Sequence, residues 1–252
     1  MQKEITWLLR EKYHGEKTDG FFADCARLEA GEPLAYIIGS IPFLGCDITL
    51  DTHPLIPRPE TEFWVEKAIA EITRTIKDNT SVLDLCAGSG AIGVAVAKAI
   101  PSAQVTLAEI DPTHLVTIEK NLKTNISEYS NRLGYYRRIQ SDLFEQITGS
   151  FEFILTNPPY IDEAAHTVAA SVVAHEPHLA LFGGLNGMNI ITKIIANAAS
   201  YLAPSGQLWI EHEPFQSAAV SRLATSHGFS CQTMPDQYDT ERYSVLTRAV
   251  AK

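Results

Sequence analysis

The chain has 252 residues, 45% hydrophobic and 20% charged, which supports one large core with a small appendage. Its 20 Lys and Arg stand against 30 Asp and Glu, and the net charge of -10 argues against a phosphate backbone as the main partner. No apolar run approaches a membrane span, and Met1-Gln2-Lys3-Glu4 leads into a charged amphipathic segment rather than the apolar stretch of a signal peptide.

Cys25, Cys46, Cys86 and Cys231 have neither metal-clip spacing nor the pattern of a disulfide framework, so a cytoplasmic chain with reduced thiols is expected. Arg132, Arg137 and Arg138 cluster in sequence but read as a solvated loop and strand end. There is no internal repeat and no low-complexity tract.

Residues 1–39 read as short helices. Ile5, Leu8 and Leu9 form one apolar stripe, and Phe21, Phe22, Cys25 and Leu28 form another, closed by Gly31-Glu32-Pro33. The region is too small for a core of its own and is expected to lean on the larger domain C-terminal to it. Residues 40–58 read as a hairpin, turned by Pro42-Phe43-Leu44-Gly45 and answered by Asp47-Ile48-Thr49-Leu50. A helix is expected from Pro59 to about Lys77, burying Phe63, Val65, Ala68, Ile69 and Ile72. Pro59 suits its first turn, and Glu60 and Glu62 suit its positive end.

From there strands and helices alternate. Strands are expected at Val82–Leu85, Val105–Glu109, Tyr136–Gln140, Phe151–Thr156, Gln207–Glu211, Phe229–Met234 and Tyr243–Thr247. Helices are expected at Ala91–Ala99, Thr113–Asn125, Asn189–Leu202 and Gln216–His227. This alternation implies an α/β fold with a mainly parallel sheet and right-handed crossovers. The long gap from Ile161 to Met188 suits a substrate lid.

Two stretches carry chemistry. Gly88–Gly93, after the strand ending Asp84-Leu85, fits G-x-G-x-x-G, and Glu109 ends the next strand, so a dinucleotide must be considered. A carboxylate at Asp84 would repel a pyrophosphate, which wants bare N–H groups. S-adenosyl-L-methionine carries an ammonium and a sulfonium and no phosphate, so it fits an acidic strand end followed by a glycine turn. Glu109 would then accept from the ribose hydroxyls and Asp142 from the adenine amine, with Leu143 or Phe144 against the ring.

The second stretch is Asn157-Pro158-Pro159-Tyr160. Two prolines stop the strand Phe151–Thr156 and leave a stiff turn at its carboxyl end. The Asn157 side-chain carbonyl and the Pro158 backbone carbonyl could each accept one N–H of a planar –NH2 group, with Tyr160 packed on its face. Such a turn alone serves an adenine amine or a glutamine amide. Histidines 166, 175, 178 and 212 lack a metal-ligand pattern and read as loop and turn residues.

Asp84-Leu85, the glycine turn and Asn157–Tyr160 together resemble the class I S-adenosylmethionine-dependent methyltransferases acting on an amide or amine nitrogen. Gly31–Ile37, Pro57-Arg58-Pro59-Glu60-Thr61-Glu62, Glu176-Pro177 and Gly183-Gly184-Leu185-Asn186-Gly187 narrow the resemblance to the peptide chain release factor N5-glutamine methyltransferases. It covers nearly everything from Gly31 onward. The intact Pro57–Glu62 favours that branch over the sister family acting on a ribosomal protein.

The resemblance implies a Rossmann-like sheet of seven strands, the last antiparallel. It divides the chain into a substrate-docking helical domain at 1–39, a β-hairpin linker at 40–58 and a methyltransferase domain at 59–252. The methyl acceptor would be the glutamine of a Gly-Gly-Gln loop in a class I release factor, with S-adenosyl-L-homocysteine as second product. Cys86, Ala87, Gly88, Ser89, Gly90 and Glu109 would hold the cofactor, Leu143 would lie beside the adenine, and Asn157–Tyr160 would grip the amide. A monomer with no stable nucleic-acid or membrane partner is expected.

Three features depart from the family. Cys86 stands where a smaller residue is usual, Glu211-His212-Glu213-Pro214 replaces Glu-Ile-Gly, and the segment before Gly31 is shorter. Two other function classes remain: adenine-N6 methylation of nucleic acid, and a binding module that keeps the fold without activity.

Overall fold

A computed structural model describes residues 1–76, 79–127, 129–165 and 169–249. The chain opens with three helices, α1 (Gln2–Glu11), α2 (Asp19–Glu29) and α3 (Leu34–Ile38). Thr18 caps α2 by accepting from the Phe21 amide at 3.2 Å. Contrary to the expectation of a region without a core, Leu8, Phe21, Leu28 and Ile37 close a small apolar cluster of their own. The buried Asp24 ties it together, accepting from Lys12 (2.7 Å), Tyr13 (2.6 Å) and Arg27 (2.7 Å). Phe22, expected in that stripe, is instead exposed.

Strands β1 (Ser40–Phe43) and β2 (Cys46–Thr49) form the hairpin, and Leu44 and Gly45 turn it at positive φ, which matches strand twist. Its Phe43, Cys46 and Ile48 pack into the main core. The next helix, α4 (Pro59–Thr75), ends two residues short of Lys77, which lies outside the described residues. It buries Trp64, Val65, Ala68 and Ile72, as i, i+1, i+4, i+8 spacing allows. Trp64 takes the place expected for Phe63. Trp64→Ala would cost roughly 3–5 kcal/mol for the lost apolar contact and the cavity left behind.

The rest is β3 (Ser81–Leu85), α5 (Ala91–Ala99), β4 (Gln104–Glu109), α6 (His114–Asn125), β5 (Tyr136–Gln140), β6 (Phe151–Thr156), α7 (Ala170–His175), α8 (His178–Leu181), α9 (Asn189–Tyr201), β7 (Leu202–Glu211), α10 (Ser217–Ser226), β8 (Phe229–Pro235) and β9 (Glu241–Arg248). The seven-stranded sheet runs β5-β4-β3-β6-β7-β9-β8. Neighbours from β5 to β7 are parallel, and β9 lies antiparallel to both β7 and β8. Side chains alternate between two cores: Val82, Leu107, Leu155 and Trp209 join α4, α5, α6 and the hairpin, while Leu83, Ala108, Ile154 and Leu208 join α9 and α10. The chain order reverses beside β3, so the carboxyl ends of β3, β4 and β6 face a crevice of the kind open α/β sheets use for ligands.

The segment after β6 contains α7, α8 and short turns at Glu163–Ala165 and Leu185–Gly187, so it is not a bare loop. It packs onto the Asn157–Tyr160 turn. Ile161 donates to Leu181 at 3.0 Å and accepts from Gly183 at 2.9 Å. A Cβ on Gly187 would lie 1.8 Å from the Tyr160 carbonyl oxygen, so only glycine permits this approach.

Candidate active site

Two cavities open at the carboxyl ends of the central strands, and Asn157 lines both. The first is walled by Cys86, Ala87, Gly88 and Ser89 after β3, by Glu109, Ile110 and Asp111 after β4, and by Ser141, Asp142 and Leu143 after β5. Phe43, Leu55 and Pro57 close it from the hairpin side, and Pro177 and Phe182 from the segment after β6. The second is lined by Leu55, Arg58, Pro158, Tyr160, Val172, Leu181 and Phe215.

The glycine turn is held from below. Cys86 adopts φ 62°, and burial pushes its thiol well above the usual thiol range, so it stays neutral. Glu109 accepts from the Gly88 amide at 2.7 Å and the Asp111 amide at 2.9 Å, leaving further lone pairs for a ligand.

Asp84 does not line the first cavity. It is fully buried behind the turn, where one oxygen accepts from the Gly93 amide at 2.8 Å and the other has no partner among the described residues. Burial pushes its carboxyl up to about 8. Its role here is to fasten the start of α5. A Cβ on Gly93 would lie 2.6 Å from Leu107 and 3.0 Å from that carboxylate, so glycine lets the helix come this close. Gly90 likewise lies behind the cavity, against Leu107 and Ile118. The acids that line the cavity, and that would repel a pyrophosphate there, are Glu109, Asp111 and Asp142. No Lys or Arg among the described residues lines it. Three acidic residues, a single histidine, no Lys or Arg among the described residues and an apolar wall fit a ligand with positive charge and a flat ring, and S-adenosyl-L-methionine is such a ligand.

The second cavity is built around the proline turn. Pro158 and Tyr160 line it, whereas Pro159 lines the first. Asn157 Nδ2 donates to Thr61 Oγ1 at 3.1 Å. Thr61 Oγ1 donates to Glu211 Oε2 at 2.7 Å, Trp64 Nε1 donates to the same oxygen at 2.6 Å, and Tyr160 OH donates to Glu211 Oε1 at 2.9 Å. Burial raises the Glu211 carboxyl above the ordinary carboxylate range, and burial with the Glu211 charge keeps the Tyr160 phenol protonated. Gln216 fixes the turn's far side by donating to the Tyr160 carbonyl at 2.9 Å.

Glu176 ties the segment after β6 to the stretch before α4. It is buried, and accepts from the Ile56 amide at 3.0 Å and from Arg58 at 2.5 Å.

Sequence reasoning missed Trp64, Asp111 and His114, the last of which lines the first cavity from the start of α6, and it read Glu211 only as a departure from a family pattern. An acid ending a buried strand beside Asn157 was a signal available for Glu211. Of the histidines, His175 and His178 bond backbone carbonyls and His212 is buried against Ser244. His166 lies outside the described residues. Among the described residues no group of three or more His, Cys, Asp or Glu could hold a metal.

This strand order, with a glycine turn and an acid ending successive strands around an apolar cleft, defines a class I methyltransferase. A methyltransferase from Pyrococcus furiosus shares the fold, with a TM-score of 0.56 at 15% identity over 90% of this chain and 98% of its own. Residues 67–186 match the family model of the methyltransferase small domain. The chain is 34% identical to the release factor glutamine methyltransferase of Streptococcus pneumoniae, over 96% of this chain and 85% of the relative. It is 30% identical to that of Deinococcus radiodurans, over 88% and 77%. The chain belongs to the release factor glutamine methyltransferase family.

Proposed function

We propose that this methyltransferase moves a methyl group from S-adenosyl-L-methionine to the side-chain amide nitrogen of the glutamine in the Gly-Gly-Gln motif of class I release factors. The observation that carries the reading is Asn157 at the junction of the two cavities, one acidic and apolar, the other closed by Tyr160 and Pro158. Cys86–Ser89, Glu109, Asp142 and Leu143 would hold the cofactor, which supplies a methyl group already activated as a sulfonium; Gly90, behind the cavity, shapes the turn.

An amide nitrogen is a weak nucleophile because its lone pair is delocalised into the carbonyl. The Asn157 carbonyl and the Pro158 backbone carbonyl would each accept one N–H of the glutamine amide and aim the nitrogen at the methyl carbon. Tyr160 would cover the face of the amide. With the nitrogen so held, the N–C bond would form as the C–S bond of the donor breaks, and the extra proton on nitrogen would leave to water. Catalysis then rests on positioning and preorganised electrostatics, with no strong base required.

Residues 1–39 would dock the release factor, the hairpin at 40–58 would link, and 59–252 would carry the chemistry, in a monomer of the cytoplasm. No helix among the described residues is long and apolar enough to cross a membrane. Methylation of an adenine amine is disfavoured by charge. Among the described residues the one cation lining the acceptor cavity, Arg58, is paired with Glu176, so the cavity offers no free cation to a phosphate backbone.

The test is to incubate the protein with labelled S-adenosyl-L-methionine and, separately, a purified release factor, a ribosomal protein or adenine-containing DNA. Mass spectrometry should find one methyl on the glutamine of the Gly-Gly-Gln peptide. Label in DNA or in the ribosomal protein, with none in the release factor, would overturn the reading.

A further inference from the structure

An amide side chain has two nearly identical edges, one accepting and one donating. For Asn157 to receive an N–H from a substrate amide, its oxygen must face the substrate. If the group turned over, its –NH2 would meet the substrate –NH2, donor against donor. The prolines hold the backbone but do not set which way this side chain faces.

The hydrogen bonds around Asn157 set it. Trp64 Nε1 can only donate, and it points at Glu211 Oε2 at 2.6 Å. The Glu211 carboxylate accepts there, and accepts from Thr61 Oγ1 at the same oxygen, at 2.7 Å. A hydroxyl has one proton. Thr61 gives it to Glu211, so towards Asn157 it can only accept, and the group 3.1 Å away must be Nδ2. The carbonyl edge of Asn157 is thereby turned away from Thr61. The other Glu211 oxygen accepts from Tyr160 OH at 2.9 Å, so one carboxylate holds two members of the proline turn. Glu211 lies at the end of β7 with 1% exposure and, among the described residues, no cation in hydrogen-bond contact; donors from α4 and the proline turn take the place of water.

We propose that Glu211, acting through Thr61, is the positioning group that fixes the rotamer of the Asn157 amide and so defines the acceptor site as one for an –NH2 group. The proposal rests on the reading of Asn157 as the holder of the substrate amide.

The test compares Thr61→Val, Thr61→Ser and Asn157→Ala in methyl transfer to a purified release factor, with cofactor Kd by calorimetry. Valine keeps the shape and removes the hydroxyl. The flipped amide then gains by one hydrogen bond to water, so kcat falls about tenfold. Cofactor Kd stays near that of the parent, the thermal midpoint falls by a few degrees because the buried Glu211 loses one donor, and serine restores both kcat and the midpoint. In the unaltered protein, selective 15N labelling of Asn should show one Asn157 side-chain proton slow to exchange, a reading that stands even if Thr61→Val fails to fold.

Thr61→Val with parental kcat beside an inactive Asn157→Ala would overturn the positioning role and leave the function standing. Fast exchange of both Asn157 amide protons would overturn it too. An active Asn157→Ala would overturn the site reading itself, and this inference with it.

Discussion

Glu176→Gln tests whether the segment after β6 holds the cavities together. Glu176 is 4% exposed, and its two oxygens serve different donors, the Ile56 amide and the Arg58 guanidinium. Glutamine offers one oxygen and one –NH2, so one of those donors must face another donor. A hydrogen bond to a charged group contributes about 1.5–3 kcal/mol, and the Arg58 side chain, 31% exposed, recovers part of that from water. A net local loss of roughly 2 kcal/mol corresponds to about thirtyfold faster opening around Ile56. Leu55 lines both cavities, Pro57 the first and Arg58 the second, so loosening here weakens both ligands. Hydrogen exchange should show the Ile56 amide deprotected by about that factor. Steady-state kinetics should show KM for the release factor and Kd for the cofactor both raised, with kcat at saturation changed much less. Parental exchange at Ile56 with an unchanged KM would refute the clamp.

Asn157→Ala should lower kcat by about 10²–10³, the usual loss when one preorganised polar contact to the reacting group is removed. Its cofactor Kd by calorimetry should stay within about threefold. Glu109→Gln should raise cofactor Kd by more than about tenfold, because its –NH2 must oppose the amide of Gly88 or Asp111 as well as a ligand hydroxyl. Asp84 gives a pH signature. Its folded value of about 8 lies above the ordinary 3.8, so the folded state binds the proton more tightly than the unfolded state does. Its contribution therefore weakens stability as pH rises from about 4 to about 8. Asp84→Asn keeps an acceptor for the Gly93 amide and removes the titration, so the variant should gain on the parent between pH 5 and pH 8 in denaturant unfolding. A difference constant with pH would sink the argument.

The central strands were legible because they are short apolar runs bounded by turn residues, and Phe151–Thr156 lies where the sequence puts it, as does the more polar edge strand Tyr136–Gln140. Helix phase was harder. Phe63 and Trp64 are adjacent and both aromatic, and only packing selects Trp64 for the core while Phe63 sits under the Lys67 ammonium at 4.9 Å. Asp84 misled for a related reason. A strand buried on both faces has no polar alternation, so the side to which an acid points is not written in its neighbours. The contact of Thr61 with Glu211 spans 150 residues, and no local pattern reports a pair joined only when β7 lies beside β6 and α4 packs across them.

The stretch from Pro54 to Trp64 shows why Pro-Arg-Pro-Glu-Thr-Glu is so informative as a sequence. Tyr36 in α3 donates to the Pro54 carbonyl at 2.7 Å, and the Leu44 amide of the hairpin donates to Glu62 at 2.7 Å. Ile56 and Arg58 reach Glu176 from one side. Thr61 and Trp64 reach Glu211 from the other, and Thr61 receives Asn157. Pro59 starts the helix, so Thr61 and Glu62 are in rigid register with it. One short segment thus joins the N-terminal helices, the hairpin, both cavity walls and the proline turn. An insertion between Arg58 and Thr61 would keep every side chain present yet break the register of two buried carboxylates at once. Its cost would fall on the acceptor geometry, because Glu176 and Glu211 grip opposite ends of that register.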